Sequence, residues 1–130
     1  AKTPDESKPE FKCGLGLAVC KGPNIHPGLV KSFTDHLDTL EIPYDIEVEG
    51  GNTGTDAWAI QTAREGIPVL LLSLPLKYMH TPVEVISLDA VKKAGRLLAN
   101  FIADIIERKQ KAVKQVKEEV LKLCSKFEIR

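Results

Sequence analysis

Apolar and polar residues change their spacing along this chain, and the changes predict strands that alternate with helices. Residues 11–20, FKCGLGLAVC, are typical of a strand whose glycines permit a bend or a close backbone approach. Residues 28–41 carry apolar side chains at helical spacing, which predicts an amphipathic helix opened by Pro27. Residues 44–49, YDIEVE, alternate strictly, which predicts a half-exposed strand near a sheet edge. Its acidic side chains are interpreted as a solvated face rather than a metal site; they are Asp45, Glu47 and Glu49.

A glycine-rich turn and a short helix are predicted next. The turn covers residues 50–54, GGNTG, whose glycines allow a tight backbone path. Thr55 is placed to cap a helix that starts at Asp56. Gly66 is the expected stop, so we expect this helix to run to about Glu65.

An apolar run and a polar loop follow. Residues 67–74, IPVLLLSL, are apolar at successive positions, which predicts a strand buried on both faces, as in a parallel sheet covered by helices. Pro75 ends this run, and the loop behind it carries His80. Residues 83–85, Val-Glu-Val, predict a short strand.

The rest of the chain is predicted to be helical, from a cap at Ser87 to about residue 127. Its first half carries one apolar stripe: Val91, Ala94, Leu98, Phe101, Ile102 and Ile105. Its second half has apolar residues in steps of three and four, the spacing of a coiled-coil seam: Val113, Val116, Val120, Leu123 and Phe127. Residues 107–130 hold eight Lys or Arg and four Glu, a net charge of +4, which fits a solvated face and a docking helix equally well. The order of elements predicts an α/β sandwich with right-handed crossovers.

Composition narrows the classes of function. The 130 residues suffice for one domain, and 43% hydrophobic with 28% charged residues is ordinary for a globular protein. Basic and acidic residues are equal at 18 each, which gives no electrostatic case for nucleic acid or an anionic membrane, and no apolar run reaches the roughly 20 residues of a membrane span. The N-terminus lacks the apolar core of a signal peptide. Three cysteines, Cys13, Cys20 and Cys124, without a CxxC motif disfavour a disulfide framework and a structural zinc site, so we expect reduced thiols in an intracellular protein.

His80 is the first candidate for chemistry, because it follows an apolar strand, where open α/β sheets place ligand sites. Its imidazole could bind a metal or move a proton, or it could simply be hydrogen-bonded within its loop. Glu84 lies four residues later, but Pro82 argues against a helical turn that would bring both side chains to one metal. Glu84 is therefore expected to orient a neighbour or to face solvent. His26 and His36 are expected to be structural or exposed.

The turn GGNTGTDA at residues 50–57 offers a second kind of site. It could bind a phosphate at the N-terminus of the following helix, and its NTGT core has a loose likeness to flavodoxin phosphate loops. Such turns are also common for purely structural reasons. One alternative function is therefore a small α/β phosphate- or flavin-binding module. Another is a noncatalytic assembly protein that uses the basic C-terminal helix.

Taken together, several blocks resemble the C-terminal part of the tetrahedral (deblocking, glutamyl-type) aminopeptidases, dinuclear-metal exopeptidases of which some have been labelled endoglucanases. The matching blocks are GTDA at 54–57, IQ at 60–61, GIP at 66–68, LP at 74–75, YMH at 78–80, PVE at 82–84 and DAV at 89–91. Residues 14–27 and 42–44 fit the preceding strand, loop and helix, and Thr3-Pro4-Asp5 also fits, so the resemblance covers about residues 1–106. It implies a three-layer α/β/α sandwich of the zinc-exopeptidase-like kind.

The resemblance also implies roles for individual residues. His80 occupies the position of a metal ligand, and Thr55 and Asp56 lie in a turn that lines the family's substrate cleft. Lys77 and Thr81 stand where the family usually has Arg and Ser, which keeps the charge and the hydroxyl. Two divalent metal ions, zinc or cobalt, would activate water in the complete enzyme. The other ligands and the general base are expected upstream of this chain, so no catalytic residue is assigned within it.

These implications lead to a set of expectations. We expect residues 1–106 to be the C-terminal half of a metallopeptidase catalytic domain and residues 107–130 to be a basic helical extension. The parent protein is expected to be a cytoplasmic hydrolase, a metal-dependent aminopeptidase that acts on peptides and forms a homo-oligomer. Its partners are then the remainder of the catalytic domain and peptide substrates, without nucleic acid or membrane. The isolated chain is predicted to be inactive, because one neutral histidine cannot hold two divalent ions.

Overall fold

A computed structural model describes residues 16–126 of the chain. The elements in chain order are β1 Leu17–Lys21, α1 Pro27–Thr39, β2 Tyr44–Val48, α2 Asp56–Gln61, β3 Leu72–Ser73, β4 Leu76–Lys77, β5 Val85–Ile86 and α3 Leu88–Lys126. This order confirms the predicted alternation. The short strand predicted over residues 83–85 is found at Val85–Ile86, where it pairs with β4 in a small hairpin. The chain divides into two compact units between Ala94 and Gly95, a point inside α3. The boundary expected near residue 106 also falls inside this continuous helix.

Three strands of the first unit form a mixed sheet in the order β2–β1–β3. β1 and β2 are parallel, with Leu17 opposite Tyr44 and Lys21 opposite Val48. β3 is antiparallel to β1, with Ala18 opposite Ser73. The central strand β1 is buried over its first four residues, whereas β2 is half exposed. The strict alternation of β2 therefore predicted its edge position correctly among the described strands.

Helix α1 supplies the apolar cover of β1. It begins at Pro27 behind a histidine cap, in which His26 Nδ1 accepts a hydrogen bond of 3.2 Å from the Leu29 amide. The helix buries Val30, Phe33 and Leu37. Full burial of such side chains contributes about 1.5–3 kcal/mol each, so this helix and β1 form the centre of the core. The prediction of this helix is confirmed, and His26 has the structural role expected of it.

The strand predicted over residues 67–74 is wrong in length, direction and burial. Only Leu72 and Ser73 pair as a strand, the pairing is antiparallel, and both residues are half buried. The preceding segment follows β1 through isolated bonds, from the Cys20 amide to Leu71 O (3.0 Å) and from the His26 amide to Val69 O (2.9 Å). An apolar run specifies neither strand direction nor what covers it, and Pro68 cannot donate to a ladder.

The acidic face of β2 also differs from its interpretation as a solvated surface. Asp45 is exposed, but Glu47 is half buried. The hydroxyl of Ser73 donates a hydrogen bond to Glu47 Oε2, and this bond spans β1, which lies between β2 and β3. Glu47 therefore ties the two outer strands together, a long-range pairing that strand periodicity cannot reveal.

Helix α3 starts as predicted, because Ser87 Oγ accepts a hydrogen bond of 3.3 Å from the Ala90 amide. Its buried residues are Ala90, Ala94, Leu97 and Phe101. Ala94 and Phe101 are buried as predicted, but the stripe is wrong by one residue elsewhere, since Val91, Leu98 and Ile102 are exposed. Both stripes have helical spacing, and the sequence favoured the one with larger side chains. From residue 107 to 126 the helix is exposed apart from the partly covered Cys124. None of the helices described is both long and apolar enough to cross a membrane.

Candidate functional site

His80 lies in the loop of the β4–β5 hairpin. The two short strands pair Leu76 with Ile86 and Lys77 with Val85, so residues 78–84 form the connection. The family-like block Tyr78–Met79–His80 occupies the first half of this loop, and all three side chains are exposed. The hairpin thus holds the predicted metal ligand at the surface, on a segment anchored at both ends by strand pairing.

Thr81 stabilises the loop through hydrogen bonds to main-chain carbonyls within it. Its amide donates to Tyr78 O over 3.1 Å, which forms a tight turn around His80. Its hydroxyl lies 2.7 Å from Tyr78 O and 2.8 Å from Val83 O, and its one proton can be donated to either carbonyl. A serine would offer the same hydroxyl at this position. The threonine that replaces the usual serine of the resembled family therefore retains a group that organises the loop.

Glu84 fixes the main chain of His80. The His80 amide donates a hydrogen bond of 2.7 Å to Glu84 Oε1, a charge-assisted bond of the stronger kind. Glu84 thus orients its neighbour, which is one of the two roles expected of it. Sequence spacing alone could not separate this arrangement from a pair of metal ligands.

Two residues of the loop adopt left-handed backbone conformations, with φ of +64° at Tyr78 and +63° at His80. Such a conformation costs a non-glycine residue roughly 1–2 kcal/mol, so it persists only where other interactions impose it. The bonds from Thr81 and to Glu84 are those interactions. Strained backbone of this kind is typical of functional loops, which is consistent with a positioning role for the hairpin.

The described donors do not make a metal centre by themselves. Within residues 16–126 no group of three or more His, Cys, Asp or Glu side chains is arranged to hold a metal ion. His80 supplies one candidate ligand, while one carboxylate oxygen of Glu84 is bonded to the main chain. A pair of divalent ions needs several carboxylates to offset its charge. The donor set therefore fits one ligand of such a centre and not the whole of it.

Thr55 and Asp56 stand at the start of α2. Asn52 Oδ1 accepts the Gly54 amide over 2.8 Å, and the hydroxyls of Thr53 and Thr55 are hydrogen-bonded at 2.9 Å. Thr55 occupies the N-cap position as predicted, but its side chain makes no capping bond. Asp56 lies in the first helical turn and is exposed. The turn is thus organised mainly by its own side chains.

Helix α2 ends at Gln61, earlier than the expected Glu65. The hydroxyl of Thr62 bonds back to the carbonyls of Trp58 and Ala59, each at 3.2 Å. Arg64 then takes a left-handed conformation with φ of +51°, which stops the helix before Gly66 is reached. Arginine is a good helix former, so the sequence gives no signal that the helix stops at Arg64.

The segments that carry Thr55–Asp56 and His80 leave the sheet at opposite ends of its strands. Residues 49–55 continue from β2, whose carboxyl end lies beside that of the parallel strand β1. The hairpin continues from β3, which is antiparallel to β1 and therefore points to the opposite edge. Strand order and direction alone do not place the Thr55–Asp56 turn beside the His80 loop, and the assignment of Thr55 and Asp56 to substrate binding stays a prediction.

A polar pair that was not predicted, between buried Asn24 and half-buried Gln61, joins the loop after β1 to the end of α2. Asn24 is only 3% exposed, and its Nδ2 donates to Gln61 Oε1 over 3.2 Å. Gln61 Nε2 in turn lies 3.4 Å from Pro23 O, which it can reach as a donor. Among the described residues, Asn24 Oδ1 has no hydrogen-bond partner. The family-like block IQ at 60–61 marks Gln61 in the sequence, but nothing marks its partner, because Asn24 sits in a Gly-Pro-Asn turn of ordinary composition.

Cys20 is buried in the central strand and is unsuited to nucleophilic chemistry. Burial, assisted by the charges of Glu47 and Glu49, raises the pKa of its thiol to about 11. Cys20 and Cys124 are free thiols in the described part of the chain, and Cys13 lies outside it. Cys20 is therefore interpreted as a residue of the core rather than of a reactive site.

Comparison with known proteins agrees with the resemblance in the sequence. Residues 1–97 match the family model of the M42 glutamyl aminopeptidases. A lysyl aminopeptidase of Pyrococcus furiosus is 41% identical over 107 residues, which cover 81% of this chain and 31% of that protein. A putative aminopeptidase of Acetivibrio thermocellus is 35% identical over 104 residues, which cover 77% of this chain and 31% of that protein. The chain thus spans about a third of the length of these relatives.

Solved structures agree on the fold. A TET aminopeptidase from the marine sediment archaeon Thaumarchaeota archaeon SCGC AB-539-E09 gives a TM-score of 0.64 at 24% identity, over 75% of this chain and 28% of that one. A putative peptidase/endoglucanase gives 0.57 at 27% identity, over 74% and 28%. PhTET1-12s, solved as a dodecamer, gives 0.52 at 24% identity, over 70% and 27%. These similarities confirm the predicted zinc-exopeptidase-like α/β fold, and the family match establishes that the chain belongs to the M42 glutamyl aminopeptidase family.

Proposed function

We propose that this chain is part of a metal-dependent aminopeptidase that removes N-terminal residues from peptides. The observation that carries the proposal is the His80 loop. An exposed histidine stands in a strand-anchored hairpin, in a strained conformation held by Glu84, within the Tyr78–Met79–His80 block. Family membership supports the reaction class, and relatives that are described as aminopeptidases support the substrate class.

In this proposal His80 is one ligand of a pair of zinc or cobalt ions. Bound divalent ions would lower the pKa of a coordinated water, which is the chemistry that peptide hydrolysis requires. The general base and the remaining ligands would come from residues that precede this chain in the complete enzyme. Thr55 and Asp56 would contact the substrate. The chain alone would bind the ions weakly and would not hydrolyse peptides.

We propose further that the complete enzyme is a cytoplasmic homo-oligomer. A homo-oligomer is supported by the dodecamer among the structural neighbours, which concerns that protein directly and this one by analogy. A cytoplasmic location is supported by the free thiols of Cys20 and Cys124. Residues 1–106 would belong to the catalytic domain, and residues 107–130 would form a helical extension of it.

The decisive experiment compares two proteins in a leucine-anilide assay with added zinc or cobalt. The 130-residue chain should show no turnover, whereas the native protein that carries this chain should be active. In the native protein, His80→Asn should lower activity and metal affinity by more than the roughly 10–100-fold that loss of an outer-shell partner causes. Asparagine tolerates the left-handed backbone of residue 80, so the variant removes the imidazole and keeps the loop.

Two results would contradict the proposal. Turnover by the isolated chain that disappears in His80→Asn would show that the chain holds a complete centre. Full activity and metal content of the native His80→Asn protein would remove His80 from the centre. The mass of the native protein, measured by immunoblot and intact mass spectrometry, tests whether the chain is part of a larger enzyme, and a species far larger than 14.3 kDa is expected.

A further inference from the structure

The C-terminal part of α3 presents an apolar surface that the proposed peptidase function does not use. We call its members the α3 seam: Val113, Val116, Val120 and Leu123. These four residues are 69%, 58%, 50% and 55% exposed, so this face of the helix is largely accessible. The seam lies beyond residue 97, where the family match ends. It is therefore a feature of this chain rather than of the part that it shares with the family model.

The shape of the seam indicates a helical partner. Steps of three, four and three residues place two apolar side chains in every seven, with Val113 and Val120 at the a positions of a heptad and Val116 and Leu123 at the d positions. A helix that lies in a membrane interface presents a broader apolar face with Trp, Phe or Leu. A narrow seam with β-branched a positions is instead typical of two-stranded helical packing.

The charges around the seam argue against a second copy of the chain. Residues 107–126 hold seven Lys or Arg and three Glu, a net charge of +4. The register of Val116 places Lys109 at the preceding d position, inside the seam, and Lys117 directly beside it. In a parallel dimer Lys109 would face its own copy, and like charges in contact oppose association.

The local ion pairs leave these lysines available. Glu107 pairs with Lys111 and Asp104 with Arg108, each at 2.7 Å. Among the described residues no ion-pair partner is found for Lys109 or Lys117. The surface therefore combines an apolar seam with unneutralised positive charge in and beside it. Burying the Lys109 charge against a partner helix is unfavourable unless an opposite charge faces it. A carboxylate would supply that charge, whereas an apolar or basic side chain would not.

We propose that the α3 seam binds an amphipathic helix of a partner protein that carries acidic residues beside its own apolar seam. The two helices form a two-stranded coiled coil in which carboxylates of the partner face Lys109 and Lys117. This interaction does not depend on the aminopeptidase reaction. It would attach the enzyme, or the separate chain, to an acidic helical protein.

The test uses the full 130-residue chain and two synthetic peptides of about four heptads, both with Ile and Leu in the seam. One peptide has Glu at all flanking positions and the other has Lys. The acidic peptide should bind in a 1:1 complex by titration calorimetry, with affinity that falls as salt is raised. The basic peptide should not bind measurably at the same concentrations.

Matched variants assign the binding surface. Val116→Asp should weaken binding of the acidic peptide by about tenfold or more, because it places a charge in the seam. Ser125→Asp adds the same charge on the far side of the helix and should bind within about twofold of the unaltered chain. Position 116 is exposed, so both variants should keep the helical content of the chain by circular dichroism. Lys109→Glu should weaken the acidic complex and strengthen binding of the basic peptide.

Other outcomes would overturn the proposal. A dimer of the chain alone in light scattering that Val116→Asp dissociates would assign the seam to a second copy. Binding to phosphatidylglycerol vesicles that Val116→Asp abolishes would assign it to an anionic membrane. Equal binding of both peptides would show that charge does not select the partner, and binding of neither would show that the seam does not accept such a helix. None of these results bears on the aminopeptidase assay, so the two proposals stand or fall separately.

Discussion

The main-chain amide of His80 donates a hydrogen bond of 2.7 Å to Glu84 Oε1, so a carboxylate four residues further on holds the backbone of the candidate ligand. In the spacing His-x-x-x-Glu, the glutamate therefore binds the main chain of the histidine and does not act with it as a second metal ligand. The carboxylate organises the loop and leaves the imidazole outside the bond. The position and the strained backbone of His80 therefore depend on Glu84, which need not contact a metal itself.

We predict that Glu84→Ala loosens the loop without unfolding the protein. Loss of one exposed hydrogen bond to a charged acceptor should cost about 1 kcal/mol, and the strained φ of His80 would relax. Amide hydrogen exchange at His80 should accelerate by about fivefold or more, as measured by NMR. Glu65→Ala removes an exposed carboxylate from another part of the chain and serves as the control. Unchanged protection of His80 in Glu84→Ala would contradict this account.

We predict opposite outcomes for two glycines, one after the carboxyl end of β1 and one after that of β2. A Cβ at Gly22 would collide with the backbone carbonyl of Glu49, which cannot move easily because the Glu49 amide is bonded to Lys21 O. A Cβ at Gly50 would meet nothing within 4 Å. Gly22→Ala should therefore lower the free energy of unfolding by about 2 kcal/mol or more, and Gly50→Ala by less than about 0.5 kcal/mol. Urea denaturation measures both, and similar values would show that the close approach relaxes at little cost.

Local signals in the sequence predicted much of this fold. Pro27 and Ser87 mark helix starts, and the alternation over residues 44–49 marks an edge strand. These features depend on neighbours in sequence, which is why pattern alone identifies them. The family-like blocks added His80 as a candidate, and Glu84 took one of its two expected roles.

What sequence reasoning missed depends on contacts between distant residues. The direction of β3 is set by its pairing with β1, and the half-burial of Glu47 reflects its bond to Ser73 across the sheet. Neither has a local signal. The buried stripe of α3 was misassigned because Ala90 and Leu97 compete with Val91 and Leu98 at equal helical spacing, and only tertiary burial decides between them.

The shifted stripe leads to a prediction with adjacent residues as test and control. Leu97 is 7% exposed and Leu98 is 37% exposed. Leu97→Ala should destabilise the protein by about 2–5 kcal/mol, because it leaves a cavity, whereas Leu98→Ala should cost about 1 kcal/mol or less. Both changes remove the same atoms from the same helix, so helix propensity cancels between them. Thermal or urea unfolding that ranks Leu98 above Leu97 would restore the stripe expected from the sequence.

The Cys20 thiol predicts a loss of stability at high pH. Burial, followed by the charges of Glu47 and Glu49, raises its pKa in the folded protein from the ordinary 9.0 to about 11. An unfolded chain therefore ionises this thiol near pH 9 while the folded chain keeps its proton, so unfolding releases a proton between these values. The stabilising contribution is complete below pH 9 and is lost as the pH rises towards 11, on the order of 2 kcal/mol in all.

Cys20→Ala removes this titration and keeps every other group that ionises in the same range, including Tyr44, whose pKa is also raised by burial and by the nearby Asp38. The difference in unfolding free energy between the unaltered protein and Cys20→Ala should be constant from pH 7 to pH 8.5. It should then shrink as the pH increases to 10.5, because only the unaltered protein has a thiol to ionise on unfolding. Urea denaturation at a series of pH values gives this difference directly. A difference that stays constant across the whole range would mean that the Cys20 thiol ionises equally well in the folded and unfolded chains, and that the charges of Glu47 and Glu49 do not reach it.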